Sequence, residues 1–257
     1  KKTIFVIEAS SYQLEYSKIF RSKYSVILNL SPDHIERHKT MKNYIKAKFR
    51  LLKNQIKGNI AFINYKDPLI IKKIKKDKYK SRIIKVGEKK VNKFLKEIRN
   101  SYFASDTNKE NLSFVLEISE ILGLKKELFK KSIINFTGLK YRQQIIYQKS
   151  DLMIINDSKS TSFSSSISLL KTKKNIYWLL GGLPKKGDKF ELSRSYFKNI
   201  KAFIFGKNKK FFNKKLQNKI HYENFGNLRL AYKKVFEIIK KNGKNKKIIL
   251  FSPCAAS

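Results

Sequence analysis

Short apolar runs alternate with amphipathic helical segments along this chain of 257 residues. The runs have strand length and fall at 3–7, 24–30, 59–65, 81–86, 152–155, 176–180, 202–205, 219–222 and 248–251. Apolar residues at helical spacing fill 67–78, 108–122, 125–135 and 227–241, while 88–104 is ambiguous. Parallel strands need a crossover, usually helical, and are apolar throughout when both faces are buried. The alternation predicts an α/β fold with a doubly wound parallel sheet.

The chain has room for one large domain or two ordinary ones, and the pattern breaks at 136–139, where Phe-Thr-Gly-Leu follows a helix. We place a domain boundary there, between units of residues 1–137 and 138–257. Hydrophobic residues make up 41% of the chain, enough for a core in each unit. The longest apolar runs have strand length, so no membrane span is predicted. The single cysteine, Cys254, excludes an intrachain disulfide and favours a reducing, cytoplasmic location.

The net charge of +40 raises nucleic-acid binding as a hypothesis. The 59 lysines and arginines are spread over the whole chain, however, and the sequence contains no zinc-finger, helix-turn-helix or RNA-binding signature. Lysine is abundant together with isoleucine, asparagine and phenylalanine, which share AT-rich codons, so genome composition explains the charge at least as well. We expect no nucleic-acid partner, and a non-catalytic cationic nucleic-acid-binding protein stays as the competing class.

Residues 31–50 contain a lysine in an unexpected position. A helix is predicted from Thr40, a residue type that favours the N-cap, and Lys48 falls on its apolar face, four residues after Tyr44. A snorkelling lysine would cover apolar surface with its stem and keep its ammonium in water. The other interpretation turns the ammonium toward a metal or phosphate site beside His34. That arrangement requires a partner or a chemical modification, because an unpaired buried charge is costly.

The same stretch resembles the Mur ligases of peptidoglycan synthesis, which join amino acids to a UDP-muramoyl precursor with ATP. Their pattern D-H-x-[DE]-R-H-x-x-x-x-x-Y-x-x-A-K is matched by Asp33, His34, Glu36, Arg37, His38, Tyr44, Ala47 and Lys48. The resemblance implies that His34 binds magnesium and that Lys48 is carbamylated on its amine, which makes it an anion that helps to hold the metal. Such a modification would explain a lysine on an apolar face.

A second motif, E-x-S-S-[FY]-Q-L-E, matches residues 8–15. A carboxylate at the carboxyl end of a parallel strand lies where α/β sheets bind ligands, although a helix cap or a solvated carboxylate also explains Glu8. The resemblance makes Glu8 a metal ligand and turns Ser10, Ser11 and Gln13 toward the muramoyl substrate. Because related branches carry other residues at Gln13, the motif indicates the branch that adds D-glutamate.

Two motifs near the predicted boundary imply contacts with ATP. Asn108 and Asn111 match H-N-x-x-N, whose asparagines contact the adenine nucleotide. Thr107 replaces the histidine, however, and an asparagine near a helix start is most often a cap. Arg142 matches the arginine of G-L-x-[HY]-R-x-[EQ], which in the family reaches the ATP phosphates; without the resemblance it is an exposed linker charge.

The motif N-D-S-K-[AS]-T-[NS] matches residues 156–162 at all seven positions. Without the resemblance, Asp157 or Ser158 is explained as the cap of the following helix. By resemblance, Asp157 and Lys159 contact nucleotide, and Thr161 lies near the incoming amino acid.

Two glycines end the strand predicted at 176–180 and allow the backbone to pass close to a ligand, although no P-loop or dinucleotide fingerprint occurs in the sequence. By resemblance to G-G-x-x-K, Lys185 contacts the carboxylate of the amino-acid substrate, and the neighbouring Lys186 leaves the register open by one residue. The motif S-P-[AC]-x-A-S matches residues 252–257, and its last residue, Ser257, would bind the carboxylate of D-glutamate.

The resemblance implies the later part of a P-loop-type central domain over 1–137 and a Rossmann-like C-terminal domain, truncated at its end, over 138–257. The implied activity is that of an ATP-dependent acid–amino-acid ligase, which joins UDP-N-acetylmuramoyl-L-alanine to D-glutamate through an acyl phosphate. ATP and magnesium are the implied cofactors, and Lys48, His34 and Lys159 are the implied catalytic residues. A sister ligase that adds another amino acid is the alternative within the family. Since the family's first domain and P-loop lie outside this sequence, we expect the chain alone to be inactive.

Overall fold

The computed structural model describes residues 3–185, 187–241 and 245–255. The chain divides into two compact units, residues 1–99 with 109–129 and residues 100–108 with 130–257. The division at residue 129 is close to the boundary predicted after residue 137. That this boundary separates two domains of the family stays a prediction. Among the described helices, none is long and apolar enough to cross a membrane.

A three-stranded parallel sheet organises the first unit. Its strands are β1 (Tyr24–Ile27), β2 (Ile60–Asn64) and β3 (Arg82–Val86), hydrogen-bonded in the order β1-β2-β3. In chain order, the α-helices up to residue 134 are α1 (Ser11–Tyr16), α2 (Ile35–His38), α3 (Met41–Lys53), α4 (Pro68–Lys76), α5 (Glu88–Lys96), α6 (Asp106–Ile121) and α7 (Lys126–Ile134). Helices α6 and α7 contain residues of both units.

Helix α3 begins at the predicted residue because Thr40 caps it. The Thr40 hydroxyl accepts a hydrogen bond from the Asn43 N–H at 3.2 Å. The apolar face of α3 buries Phe49 and Leu52 in a cluster with β1 and β2. On the other face of the sheet, β2 packs against α6. Both faces of the sheet are therefore covered, which accounts for the apolar runs of its strands.

The strand predicted at 3–7 is wrong. Residues 3–10 form neither helix nor strand. The apolar side chains at 4–7 are exposed, and Val6 is 96% exposed. A strand is held by hydrogen bonds to a neighbouring strand, and among the described strands none pairs with this segment. The apolar residues make the segment suited to burial, but a strand also needs a neighbouring strand to pair with, which the apolar pattern does not indicate.

A six-stranded sheet organises the second unit. Its strands are β4 (Gln144–Gln148), β5 (Leu152–Asn156), β6 (Ile176–Gly181), β7 (Ile200–Phe205), β8 (His221–Phe225) and β9 (Lys247–Phe251). They are hydrogen-bonded in the order β4-β5-β9-β6-β7-β8. Strand β4 is antiparallel to β5, and all the other pairs are parallel.

Helices cover both faces of this larger sheet. Helices α8 (Phe163–Thr172) and α9 (Lys209–Leu216) pack on the face that buries Trp178, and α10 (Leu228–Lys241) packs on the face that buries Leu179 and Phe203. Short 3-10 helices occupy Ser101–Ala104 and Arg194–Asn199. The sequence patterns do not predict β4 and α9. Strand β4 is mostly exposed at the sheet edge, and four of the eight residues of α9 are lysines.

Candidate active site

The first of the predicted substrate residues form the start of α1. The Gln13 N–H donates to the Ser10 hydroxyl at 3.3 Å, and the Ser10 N–H donates to the Gln13 side-chain oxygen at 2.8 Å. This reciprocal capping box satisfies two backbone donors that the helix itself cannot satisfy. Both side chains are exposed. Their predicted role toward the muramoyl substrate stays a prediction.

Ser11 is buried beside a histidine that sequence reasoning did not assign to the site. The Ser11 hydroxyl and the His38 Nε2 are 2.9 Å apart, and both residues are only 3% exposed. The other ring nitrogen of His38 lies 4.0 Å from a Glu15 carboxylate oxygen, too far for a hydrogen bond. The His38 ring also contacts Tyr12 and Tyr44. His38 therefore joins α1 to α3.

The three predicted metal ligands, Glu8, His34 and Lys48, have different surroundings and different exposure. Glu8 is exposed in the irregular segment before α1. His34 has left-handed backbone, and its ring nitrogens lie 3.5 Å from Asp33 and 3.7 Å from Glu36. Lys48 is half-buried, with its ammonium 5.1 Å from the centre of the Tyr44 ring. A cation–π contact of this kind accommodates a lysine on an apolar face without modification.

This donor set does not fit a divalent cation as it stands. A lysine ammonium has no lone pair to offer a metal. Of the three predicted ligands, only Glu8 and His34 therefore have side chains that can bind a metal ion. Among the described residues, no group of three His, Cys, Asp or Glu side chains is placed to hold a metal ion. Carbamylation of Lys48 would supply the missing oxygen ligands, and it stays a prediction.

Asp157 occupies the carboxyl end of β5 in the second unit and is only 5% exposed. One carboxylate oxygen accepts a hydrogen bond from the Gln143 N–H at 3.0 Å, and the other accepts one from the Ser252 hydroxyl at 2.9 Å. Burial raises the pKa of Asp157 to about 6, against the opposing effects of these hydrogen bonds and of Arg142. Both oxygens therefore already have protein partners.

Arg142 and Lys159 are exposed cations on two segments whose backbones are joined by a hydrogen bond. The Lys159 N–H donates to the Tyr141 carbonyl at 3.1 Å. Tyr141 and Gln143, on either side of Arg142, have φ values of 66° and 50°. Such left-handed backbone is uncommon for residues other than glycine. The hydrogen bond joins the backbone beside two exposed cations, which are residue types that bind phosphate.

Asn108 does not present a free amide, whereas Asn111 is exposed in the part of α6 that belongs to the first unit. The Asn108 side-chain N–H groups donate to the Tyr102 carbonyl at 2.8 Å and to the Gln143 side-chain oxygen at 3.0 Å. Asn108 is 5% exposed. Sequence reasoning missed Gln143 because it occupies a variable position of the motif around Arg142, where no pattern marks a buried contact.

The residues predicted near the amino acid lie around the start of α8. Thr161 and Lys185 are both half-buried. The Asp188 carboxylate accepts a hydrogen bond from the Phe163 N–H at 2.8 Å, and burial raises the pKa of that carboxyl, although nearby Lys185 opposes the effect. Ser257, like Lys186, lies outside the described residues.

Gly181 has a structural reason for being glycine. Its φ is 149°, and a Cβ atom at this position would lie 2.1 Å from the Phe205 carbonyl oxygen. The close approach is therefore between strands β6 and β7, where the sequence analysis expected a ligand.

A comparison with protein families matches residues 1–125 to the Mur ligase middle domain. Among curated proteins, the UDP-N-acetylmuramoylalanine--D-glutamate ligase of Rickettsia bellii is 29% identical over an alignment that covers 98% of this chain and 61% of the relative. The chain is thus similar to Mur ligases over nearly its whole length, and residues 1–125 match the family's middle domain. It spans less than two thirds of the length of this relative.

Solved structures share the fold at low sequence identity. The MurF ligase from Thermotoga maritima in complex with ADP has a TM-score of 0.68 and 13% identity, over 95% of this chain and 61% of that one. A bifunctional folylpolyglutamate synthase/dihydrofolate synthase from Yersinia pestis, complexed with AMPPNP and Mn ion, has a TM-score of 0.58 and 11% identity, over 90% and 58%. The predicted α/β class with parallel sheets is confirmed.

Proposed function

We propose that the protein containing this chain is an ATP-dependent ligase that joins D-glutamate to UDP-N-acetylmuramoyl-L-alanine in the cytoplasm. The observation that carries the proposal is the alignment of 98% of the chain with a D-glutamate ligase. The pair of exposed cations, Arg142 and Lys159, supports it as well, because phosphoryl transfer needs positive charge around the phosphates.

The reaction has two steps. An oxygen of the substrate carboxylate attacks the γ-phosphorus of ATP, the bond to the bridging oxygen breaks, and ADP leaves. The amine of D-glutamate then attacks the carbonyl carbon of the acyl phosphate, phosphate leaves with the electrons of the C–O bond, and a proton leaves the nitrogen. Negative charge develops on the transferring phosphoryl group, so fixed cations stabilise the transition state more than the ground state.

The proposed roles divide between the two units. In the second unit, Arg142 and Lys159 bind the phosphates, and Thr161 and Lys185 bind the amino acid. In the first unit, the proposed muramoyl contacts are Ser10, Ser11 and Gln13, and the proposed metal set is Glu8, His34 and carbamylated Lys48. A divalent cation held by that set would neutralise phosphate charge. The predicted contacts of Asn111 and Asp157 with nucleotide and of Ser257 with D-glutamate complete the proposal.

The test uses the protein encoded by the complete gene. Release of phosphate is measured with ATP, UDP-N-acetylmuramoyl-L-alanine and one amino acid at a time from D-glutamate, L-glutamate, L-alanine and L-lysine. We expect turnover with D-glutamate only. Turnover with another amino acid would favour the sister-ligase alternative. If the folded protein shows no turnover with any of the four amino acids, the proposal is overturned.

The Lys185→Ala variant then tests the amino-acid site. Loss of a charge-assisted hydrogen bond to a substrate carboxylate should raise the KM for D-glutamate about tenfold to a hundredfold and leave that for ATP unchanged. Lys189→Ala, which removes an exposed lysine from the same loop, is the matched control. If Lys186→Ala gives the phenotype and Lys185→Ala does not, the motif register is displaced by one residue.

A further inference from the structure

Gln143, whose position in the motif around Arg142 is variable, makes four hydrogen bonds in the second unit. Its side-chain oxygen accepts from the Ser105 hydroxyl at 2.8 Å and from the Asn108 amide at 3.0 Å. Its side-chain nitrogen donates to the Ser168 hydroxyl at 3.4 Å. Its backbone N–H donates to Asp157 at 3.0 Å. The residue thus links the segment before α6, the end of β5 and helix α8.

These contacts explain how an unfavourable backbone conformation persists. Gln143 and Tyr141 both have positive φ, and neither is glycine. Backbone in such regions is retained only where the surroundings determine it strongly, and it is concentrated at functional sites. At Gln143 the surroundings are the four bonds just described. Arg142 lies between the two left-handed residues and is itself exposed, so the conformation fixes the direction from which its side chain reaches solvent.

The network continues beyond Gln143 to the segment that contains the last motif. Asp157, which accepts from Gln143, also accepts from the Ser252 hydroxyl, and the Ser252 carbonyl accepts from the Trp178 indole N–H at 2.9 Å. Ser252 is fully buried. A buried network in which each member has its partners is rigid, and loss of one member leaves the others with unsatisfied polar groups.

We propose that Gln143 is a positioning residue that fixes Arg142 and the backbone bond between Tyr141 and Lys159 in the geometry that binds the ATP phosphates. The inference rests on the proposed function, because it takes the nucleotide role of Arg142 and Lys159 from it. It assigns Asn108 to the same support: the Asn108 amide holds Gln143 and does not itself contact the nucleotide. Gln143 acts through Arg142 and touches no substrate.

The test compares two variants with a matched control. Gln143→Asn tolerates left-handed backbone but is too short for the side-chain bonds, and Gln143→Gly removes the side chain and relieves the backbone strain. Tyr141→Gly relieves the same kind of strain at an exposed residue whose side chain takes no part in the bonds of Gln143, and it controls for the flexibility of glycine. Fluorescence of Trp178, the single tryptophan, verifies in each variant that the second unit is folded.

Hydrogen exchange on the 257-residue chain gives the first readout. In both Gln143 variants the amides of residue 143 and Lys159 should exchange about tenfold faster, as expected for loss of hydrogen bonds that hold this segment closed. Tyr141→Gly should leave the exchange of the residue 143 amide within about twofold of the original chain. If the Gln143 variants exchange like Tyr141→Gly, the inference is wrong.

Steady-state kinetics of the complete enzyme gives the second readout. Both Gln143 variants should raise the KM for ATP about tenfold and leave the KM for D-glutamate unchanged, a split that general loss of stability does not produce. If Arg142→Ala raises the KM for ATP and the Gln143 variants do not, the positioning role fails and the proposed function survives. If Arg142→Ala has no effect on ATP, the proposed nucleotide site fails, and the inference fails with it.

Discussion

Asp157 shows how a motif residue can be recognised from sequence while its contacts cannot. The seven matched positions at 156–162 place the carboxylate at the end of a strand. They do not reveal that both its oxygens accept hydrogen bonds from residues distant in sequence, Gln143 and Ser252. Those partners depend on the antiparallel turn into β4 and on the central position of β9, neither of which a local pattern specifies.

The raised pKa of Asp157 predicts a specific dependence of stability on pH. An unfolded aspartate has a pKa of about 3.9, whereas the folded value is about 6. Between these values the folded state binds more protons, so the free energy of unfolding falls as the pH rises and levels off above about 6. We expect the loss between pH 4.5 and 7.5 to be about 2 kcal/mol greater in the original chain than in Asp157→Asn.

Urea unfolding followed by Trp178 fluorescence measures this difference in the unit that contains Asp157. Asp151→Asn, which changes an exposed carboxylate just before the same strand, is the control and should behave as the original chain. Identical pH dependence in the original chain and in Asp157→Asn would show that burial does not perturb this carboxyl.

At the scale of single elements, α1 depends on contacts outside itself. Six residues are too few for a stable isolated helix. The capping box satisfies its first backbone donors, and the hydrogen bond between Ser11 and His38 fastens it to the end of α2. The helix should therefore be sensitive to a change in α2 that leaves its own sequence intact.

His38→Phe tests this dependence. The phenyl ring fills the space of the imidazole but leaves the buried Ser11 hydroxyl without a partner, which should cost about 1–3 kcal/mol. Amides of α1 should then exchange at least about fivefold faster, because local opening becomes easier. His34→Phe changes a ring whose side chain is 40% exposed and serves as the control. Unchanged exchange of α1 in His38→Phe would mean that packing alone holds the helix.

The elements also show where sequence patterns are sufficient. The cap at Thr40 and the apolar runs of β2, β3 and β6 predict those elements to within a residue or two, because local chemistry and burial act together there. The run at 3–7 has the same composition but lacks a hydrogen-bonding neighbour among the described residues. Gln143 lacks any local signal, since its importance comes from residues up to 38 positions away.

At the scale of the whole chain, the described residues divide into two units with separate cores and unequal sheets. The first has three strands, and the apolar segment at 4–7 is exposed. The second has six strands with helices on both faces. Since hydrophobic stabilisation grows with buried apolar area, the second unit should be the more stable one.

Urea unfolding of the chain should therefore proceed in two steps. Trp178 lies in the second unit, so its fluorescence follows that unit alone, while circular dichroism follows the helices of both. We expect part of the circular dichroism signal to be lost before the fluorescence changes. Coincident curves from the two probes would indicate a single cooperative transition and contradict the prediction.

The position of β9 has a consequence for synthesis in the cell. Strands β5 and β6 both pair with β9, which lies between them and comes last of the six in the chain. Until residues 247–251 have left the ribosome, the growing chain holds two partial sheets, each with an apolar edge that has no neighbour. Such edges pair readily with other chains. The nascent protein is thus most exposed to misassembly before β9 emerges, and a ribosome that stalls before residue 247 leaves both edges open.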